Sequence, residues 1–172
     1  MKLEIRRMMA EDAETYGAIT ARSWQVAYRG IVPADYLGTI TPELRTRRFR
    51  QFYGPGSGVD YYLAQVDGED AGVFCLQADR DAPSGRIGEI GVFYFLPAFW
   101  GTGAAPSAMA FALERLRQRG YEEAILWVLA GNARARRFYE KCGFVSDGAA
   151  KAIHLGADLA EVRYRRNLTE GR

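Results

Sequence analysis

One stretch, Gly88 to Gln118, GEIGVFYFLPAFWGTGAAPSAMAFALERLRQ, constrains this chain more than any other. An apolar run from Ile90 to Leu96 stops at Pro97 and gives way to the turn WGTGAA; Met109, Ala112, Leu113 and Leu116 then recur at helical spacing. The pattern predicts strand, tight loop, helix. Glycines let a backbone come close to a ligand, and a helix start offers free N–H groups and the positive end of a dipole, so the unit suits an anion such as a pyrophosphate. Strand-to-helix turns of this kind also arise for packing alone.

Two phosphate-binding patterns are excluded by the residues present. A P-loop requires G-x-x-x-x-G-K-[ST], and no lysine follows Gly101 or Gly103. A dinucleotide fingerprint requires G-x-G-x-x-G, but Gly101 and Gly103 are followed by Pro106 at the third place, which has no N–H to offer.

At 172 residues the chain is expected to form one domain, 1–172, with a core of its own. The 23 Lys and Arg against 21 Asp and Glu leave a net charge of +2, too little for a field that gathers nucleic acid or a membrane surface. No apolar segment approaches a membrane span, and MKLEIRRMMAEDAE lacks the apolar centre of a secretory signal. A cytoplasmic location is expected, without nucleic-acid or membrane partners. Cys75 and Cys142 are far apart and His154 is the single histidine, so zinc chemistry and Ser-His-Asp or Cys-His catalysis are poor expectations and no metal is called for.

KLEIRR opens as a strand, and a helix follows over 11–28 with Ala13, Tyr16, Thr20, Trp24 and Ala27 near one face. A short helical turn is expected over 34–37, then a helix capped by Thr41 with Pro42 at its first position. Its run of Arg45, Arg47, Arg48 and Arg50 reads as a solvated face. Strands are expected over 61–66 and 71–76 around the turn Asp67-Gly68-Glu69-Asp70, and over 124–129. A helix then carries Ala135, Phe138, Tyr139 and Cys142 on one face and ends at Gly143, and two strands fill 144–168. The order is that of an α/β domain with helices on both faces of one sheet.

These residues resemble those of the GNAT acyltransferases. EIGVFYFLPAFWGTGAAPSAM resembles that family's coenzyme motif, [R/Q]-x-x-G-x-[G/A], with Trp100-Gly101-Thr102-Gly103-Ala104-Ala105 in its place. A second family motif follows the strand ILWVL as N-x-x-A-x-x-F-Y-E-x-x-G-F, carried by Asn132, Ala135, Phe138, Tyr139, Glu140, Gly143 and Phe144. SWQVAYRGIVPADYL and EVRYRRNL look like a bacterial branch of the same superfamily, so the resemblance covers nearly the whole chain.

The resemblance implies a central, mixed, mostly antiparallel sheet with a splayed strand pair. It also implies acetyl-CoA as co-substrate and transfer of its acetyl group to a primary amine by direct attack. The strand ending at Phe95 would offer unpaired backbone groups to the pantetheine arm. The N–H groups of Thr102, Gly103, Ala104 and Ala105, with Ser107, would hold the pyrophosphate, and Asn132 would bond along the arm. Trp100 departs from the usual Arg or Gln, and Pro106 removes a donor. A charge-assisted hydrogen bond is worth roughly 1.5–3 kcal/mol, so coenzyme binding weaker by about one order of magnitude is the expected consequence.

Tyr139 matches the family tyrosine that protonates the departing thiolate, and it also fits a core aromatic beside Phe138. The Phe95 N–H is the oxyanion donor by the same analogy. Glu89 stands where relatives carry a base, and a solvated carboxylate at a strand edge is the alternative. Cys142, on an apolar helix face, reads as inert packing. Trp24, Tyr28, Tyr36 and Trp127 could line the acceptor cleft or belong to the core. The acceptor is expected to be a small molecule, amino acid or peptide amine; a homodimer is left open. A non-catalytic acyl-CoA sensor of the same fold is the rival, and a nucleotide-binding domain is a weaker third.

Overall fold

The computed structural model describes residues 1–83 and 85–169. Along them the chain forms β1 (Leu3–Arg7), α1 (Ala13–Ala27), α2 (Ala34–Gly38), α3 (Pro42–Phe52), β2 (Asp60–Val66), β3 (Glu69–Ala78), β4 (Ile87–Phe95), α4 (Ala104–Gln118), β5 (Glu123–Leu129), α5 (Ala133–Lys141), β6 (Val145–His154) and β7 (Asp158–Asn167). The order expected from periodicity holds, with shifted boundaries. β3 begins two residues earlier than its apolar run because the turn is only Asp67-Gly68, so Glu69 and Asp70 already pair with Val66 and Gln65. α1 starts at Ala13 because Ala10–Asp12 form a 3-10 turn. There Asp12 accepts from the Met9 N–H at 2.7 Å and from Arg6 Nη1 and Nη2 at 2.8 Å each.

All strands join one sheet in the order β1-β2-β3-β4-β5-β7-β6; β4 and β5 are parallel and the other neighbours antiparallel. Side-chain alternation assigns each face a helix pair. Tyr62, Ala64 and Val66 of β2 join Phe74, Ala108, Met109, Ala112 and Leu116 in one core beneath α4, which also takes in Tyr139 of α5 and Phe144. Leu63 and Val73 point the other way and meet Tyr16, Ile19 and Phe49 of α1 and α3. The expected two-sided cover, mixed sheet and splayed pair are all present.

α1 and α3 cross closely because Gly17 has no side chain; a Cβ there would collide with Thr46 Oγ1 and stand 2.5 Å from the Pro42 carbonyl. Thr41 caps α3 as expected, its hydroxyl accepting the Leu44 N–H at 3.2 Å. The arginine run is not uniformly solvated: Arg45 is buried against α1. Its Nε donates to Thr20 Oγ1 at 3.3 Å and its guanidinium carbon lies 5.2 Å from the Trp24 ring centre, so stacking and a hydrogen bond replace part of its hydration. Among the described residues no helix is long and apolar enough to cross a membrane.

Candidate active site

β4 and β5 pair only through Ile87, Gly88 and Glu89 against Glu123, Ala124 and Ile125. Beyond that point β4 stays with β3 as far as Phe95, while β5 stays with β7 as far as Leu129. The two parallel strands therefore part, and a cleft of about 160 Å³ opens between them. A register shift between Cys75 and Leu76, opposite Gly91, lies at the divergence, and such bulges bend a strand and increase its twist.

Phe95 ends the free edge. The Leu96 N–H donates to the Ala71 carbonyl at 2.8 Å, so by ladder alternation the N–H and C=O of Phe95 face away from β3, towards the cleft. The carbonyl already accepts Trp100 Nε1–H at 2.8 Å. The residue in place of the motif's Arg or Gln thus occupies one of the backbone groups expected to be free, and the Phe95 N–H remains. Past Trp100, Gly101 and Gly103 take φ of 76° and 89°, which only glycine adopts without strain, and they turn the chain sharply into α4. The N–H groups of Gly101, Thr102, Gly103 and Ala105 have no acceptor among the described residues. Ala104 differs from expectation, its N–H turning back to Thr102 Oγ1 at 3.3 Å. Pro106 sits in the first turn of α4, and Ser107 N–H already bonds the Gly103 carbonyl at 3.2 Å. The loop 101–107 lies beyond the cleft lining, which reaches Trp100.

Asn132 and Tyr139 close this side. Asn132 is buried and its Oδ1 caps α5 by accepting the Ala135 N–H at 3.2 Å; its Nδ2 donates to no group among the described residues. Tyr139 is buried against Phe138, Phe144 and Tyr164, yet it lines the cleft, and its hydroxyl is unbonded among the described residues. Burial, with Tyr94 nearby, pushes its phenol above the ordinary value, so it stays protonated. Arg134, absent from the expected set, also lines the cleft, its guanidinium carbon 3.2 Å from the Trp100 ring centre. Its signal in the sequence was faint: a cation in the first turn of a helix that has no acid there.

The opposite wall comes from α1, β4, β5 and β7. Trp24, Tyr28 and Trp127 are among the residues that line the cleft. Tyr36 is not; it braces α2 against the β6–β7 turn, where a Cβ on Gly156 would stand 2.6 Å from it. Tyr28 and Tyr94 hydroxyls lie 3.4 Å apart, and burial raises the Tyr28 phenol well above its ordinary value. Glu89 is not a solvated edge carboxylate. It is 1% exposed, on a strand paired on both sides, and accepts from Arg80 Nε at 2.9 Å, Nη2 at 2.6 Å and backbone N–H at 3.1 Å. Glu161 on β7, not anticipated from the sequence, also lines the cleft, and burial raises its carboxyl above the usual range. Burial likewise raises both thiols, Cys75 up to about 12, in keeping with packing roles. Among the described residues no group of acids, histidines and cysteines is arranged to hold a metal.

A sheet opened between two parallel strands, with a glycine turn and helix start at one end and a buried tyrosine on the cleft, is the arrangement that the resemblance to the acyltransferases implies. The sequence profile of the Acetyltransferase (GNAT) family matches residues 24–144. The chain belongs to the GNAT acetyltransferase family. An uncharacterised N-acetyltransferase of Mycobacterium tuberculosis is 31% identical over 85% of this chain and 90% of its own length. Another, from Archaeoglobus fulgidus, is 32% identical over 80% and 89%. The fold matches the PaiA N-acetyltransferase of Thermoplasma acidophilum, solved in complex with coenzyme A, with a TM-score of 0.72 at 21% identity over 97% of this chain and 99% of that one.

Proposed function

We propose that this protein transfers the acetyl group of acetyl-CoA to a primary amine without a covalent enzyme intermediate. The observation that carries this reading is the parting of β4 from β5, which leaves a strand edge ending at Phe95 and Tyr139 on one cleft, with the free N–H groups of Gly101, Thr102, Gly103 and Ala105 in the loop just beyond it. Phe95 N–H suits the thioester oxygen, and the amide Nδ2 of Asn132 suits a carbonyl of the pantetheine arm. Free N–H groups at the start of α4 suit the pyrophosphate, with Ser107 one turn on. Arg134 supplies, from α5, a positive charge of the kind that Trp100 removes from the loop.

In the reaction an ammonium loses one proton to become the nucleophile. The nitrogen lone pair forms the C–N bond, the thioester carbon becomes tetrahedral, and collapse breaks the C–S bond. The thiolate takes the Tyr139 proton, the second proton of the nitrogen restores the phenol, and the first leaves to solvent. Glu89, the expected base, has both oxygens engaged by Arg80; that engagement favours a positioning role, holding the guanidinium at the cleft.

Calorimetry with acetyl-CoA and with ATP, followed by free-thiol release over a panel of amines, tests this reading. Acetyl-CoA binding with amine-dependent thiol release is the expected result. Binding without thiol release for any amine would favour the acyl-CoA sensor, and ATP binding alone would overturn the coenzyme assignment.

A further inference from the structure

The α1-facing wall of the cleft carries three unmet hydrogen-bonding groups. The indole Nε1–H groups of Trp24 and Trp127 are buried without a partner among the described residues. A buried donor left unpaired is destabilising, so two of them on side chains that line one cleft point to an acceptor from outside the described residues. The carboxylate of Glu161, half-buried, has no hydrogen bond or ion pair among the described residues.

Sheet register places the three together. Trp127 pairs with Arg163, and Leu129 and Lys151 pair with Glu161 from either side, so Trp127 and Glu161 share a face as diagonal neighbours across β5 and β7. Ile125 pairs with Glu89 on that same face, and α1 lays Trp24 and Tyr28 over it. Each indole also carries a cation on its ring. Arg45 lies 5.2 Å from the centre of Trp24; Lys151 Nζ and the Arg163 guanidinium lie 4.0 and 5.6 Å from that of Trp127. Asp147 pairs with Arg163 at 2.7 Å and Asp81 lies 3.9 Å from Lys151 Nζ, so the positive potential at the indoles comes chiefly from Arg45 and in part from Lys151, and Glu161 provides an anionic point beside it.

We propose that the acceptor is an amine bearing a nearby carboxylate or amide carbonyl: Glu161 receives its ammonium and passes its first proton on to solvent, and Trp24 and Trp127 donate to the acceptor's oxygen. This rests on the acyltransfer reading above. An α-amino acid or its amide carries this combination, an ammonium beside an oxygen acceptor; a simple alkylamine leaves both indoles unmet, and a diamine brings a second cation towards Arg45, Lys151 and Arg163. The groups around Glu161 are Lys151 from β6, Arg80 from the loop after β3, Glu89 from β4, Tyr28 from α1 and Arg163 on its own strand. Burial and Glu89 raise its carboxyl, and Lys151 and Arg80 act against them, so its ionisation limb lies above the ordinary carboxylate range.

The test compares the twenty L-α-amino acids, their carboxamides, their decarboxylated amines and 1,4-diaminobutane by thiol release with acetyl-CoA. An oxygen-bearing acceptor is expected to exceed its decarboxylated partner at least tenfold in kcat/KM, and Trp24→Phe or Trp127→Phe is expected to bring that ratio towards one, chiefly through KM. Whether acid or amide wins separates free amino acids from peptide-like acceptors. Glu161→Gln is expected to lower kcat/KM and remove the acid limb of its pH profile. Indole N–H resonances of the unmodified protein loaded with coenzyme A give a readout independent of turnover and of variant folding: those of Trp24 and Trp127 are expected to shift with the amino acid or amide and not with the decarboxylated amine. Equal use of decarboxylated amines, preference for the diamine, or unshifted indoles with every acid and amide would overturn the proposal. Shifted indoles with no thiol from any amine would instead overturn acyl transfer.

Discussion

Arg134 stands in the first turn of α5, where the helix dipole disfavours a cation and where no acid compensates it. Burial lowers the affinity of its guanidinium for its proton, so the charge is held there at a further cost, offset in part by the Trp100 ring 3.2 Å away. A coenzyme phosphate or carbonyl would supply the missing partner. Arg134→Ala is expected to raise the acetyl-CoA Kd about tenfold by calorimetry, the size of one charge-assisted hydrogen bond. Tyr139→Phe keeps the ring contacts with Phe138, Phe144 and Tyr164 and removes only the hydroxyl. Steady-state kinetics should show kcat lower by about 100-fold with coenzyme affinity nearly unchanged, and an unaltered kcat would take the acid role from Tyr139. Tyr139 was legible because its motif is local, seven positions from Asn132. Arg134 and Glu161 were not, because each is one charged residue among many until the fold fixes what stands beside it.

At the scale of elements, the cleft depends on how α1 is seated, since α1 brings Trp24 and Tyr28 over the sheet. That seat is the Gly17 crossing with α3. Gly17→Ala places a methyl against Thr46 Oγ1 and the Pro42 carbonyl, and the backbone neighbour has little room to yield. A loss of about 1–3 kcal/mol is expected, seen as a Tm lower by roughly 3–9 °C in a thermal melt. Arg45 would move with the helices, because its hydrogen bond to Thr20 and its place over Trp24 both span the same junction. Periodicity located both helices and the Thr41 cap. It gave no sign that α3 buries an arginine, since a charge run has the same pattern whether or not a neighbouring helix covers one member.

For the whole molecule, acid stability follows from its depressed carboxyls. The Arg6 guanidinium, with Met9 N–H, holds Asp12 below the usual range against the effect of burial. Burial acts to raise Asp147, but Ala149 N–H and the Arg163 and Arg165 guanidiniums outweigh it. Groups with lowered folded values contribute stability above their unfolded value, near ~3.8, and lose it as pH falls through the folded one. Melting temperature should therefore drop below about pH 4, and Asp12→Asn or Asp147→Asn should lessen that drop; Glu161, raised instead, acts with the opposite sign. By itself the sequence determined the order of strands and helices, the glycine turn into α4, the capping of α3 and the spacing of Asn132 and Tyr139, because each depends on residues within a few positions of one another. Only the tertiary structure decided that β4 leaves β5 after Glu89, that Arg80 takes up the Glu89 carboxylate, that Tyr36 braces a turn outside the cleft, and that Glu161 joins Trp24 and Trp127 in lining it. Those facts are set by register and crossing geometry between segments far apart in the chain, which local periodicity does not encode.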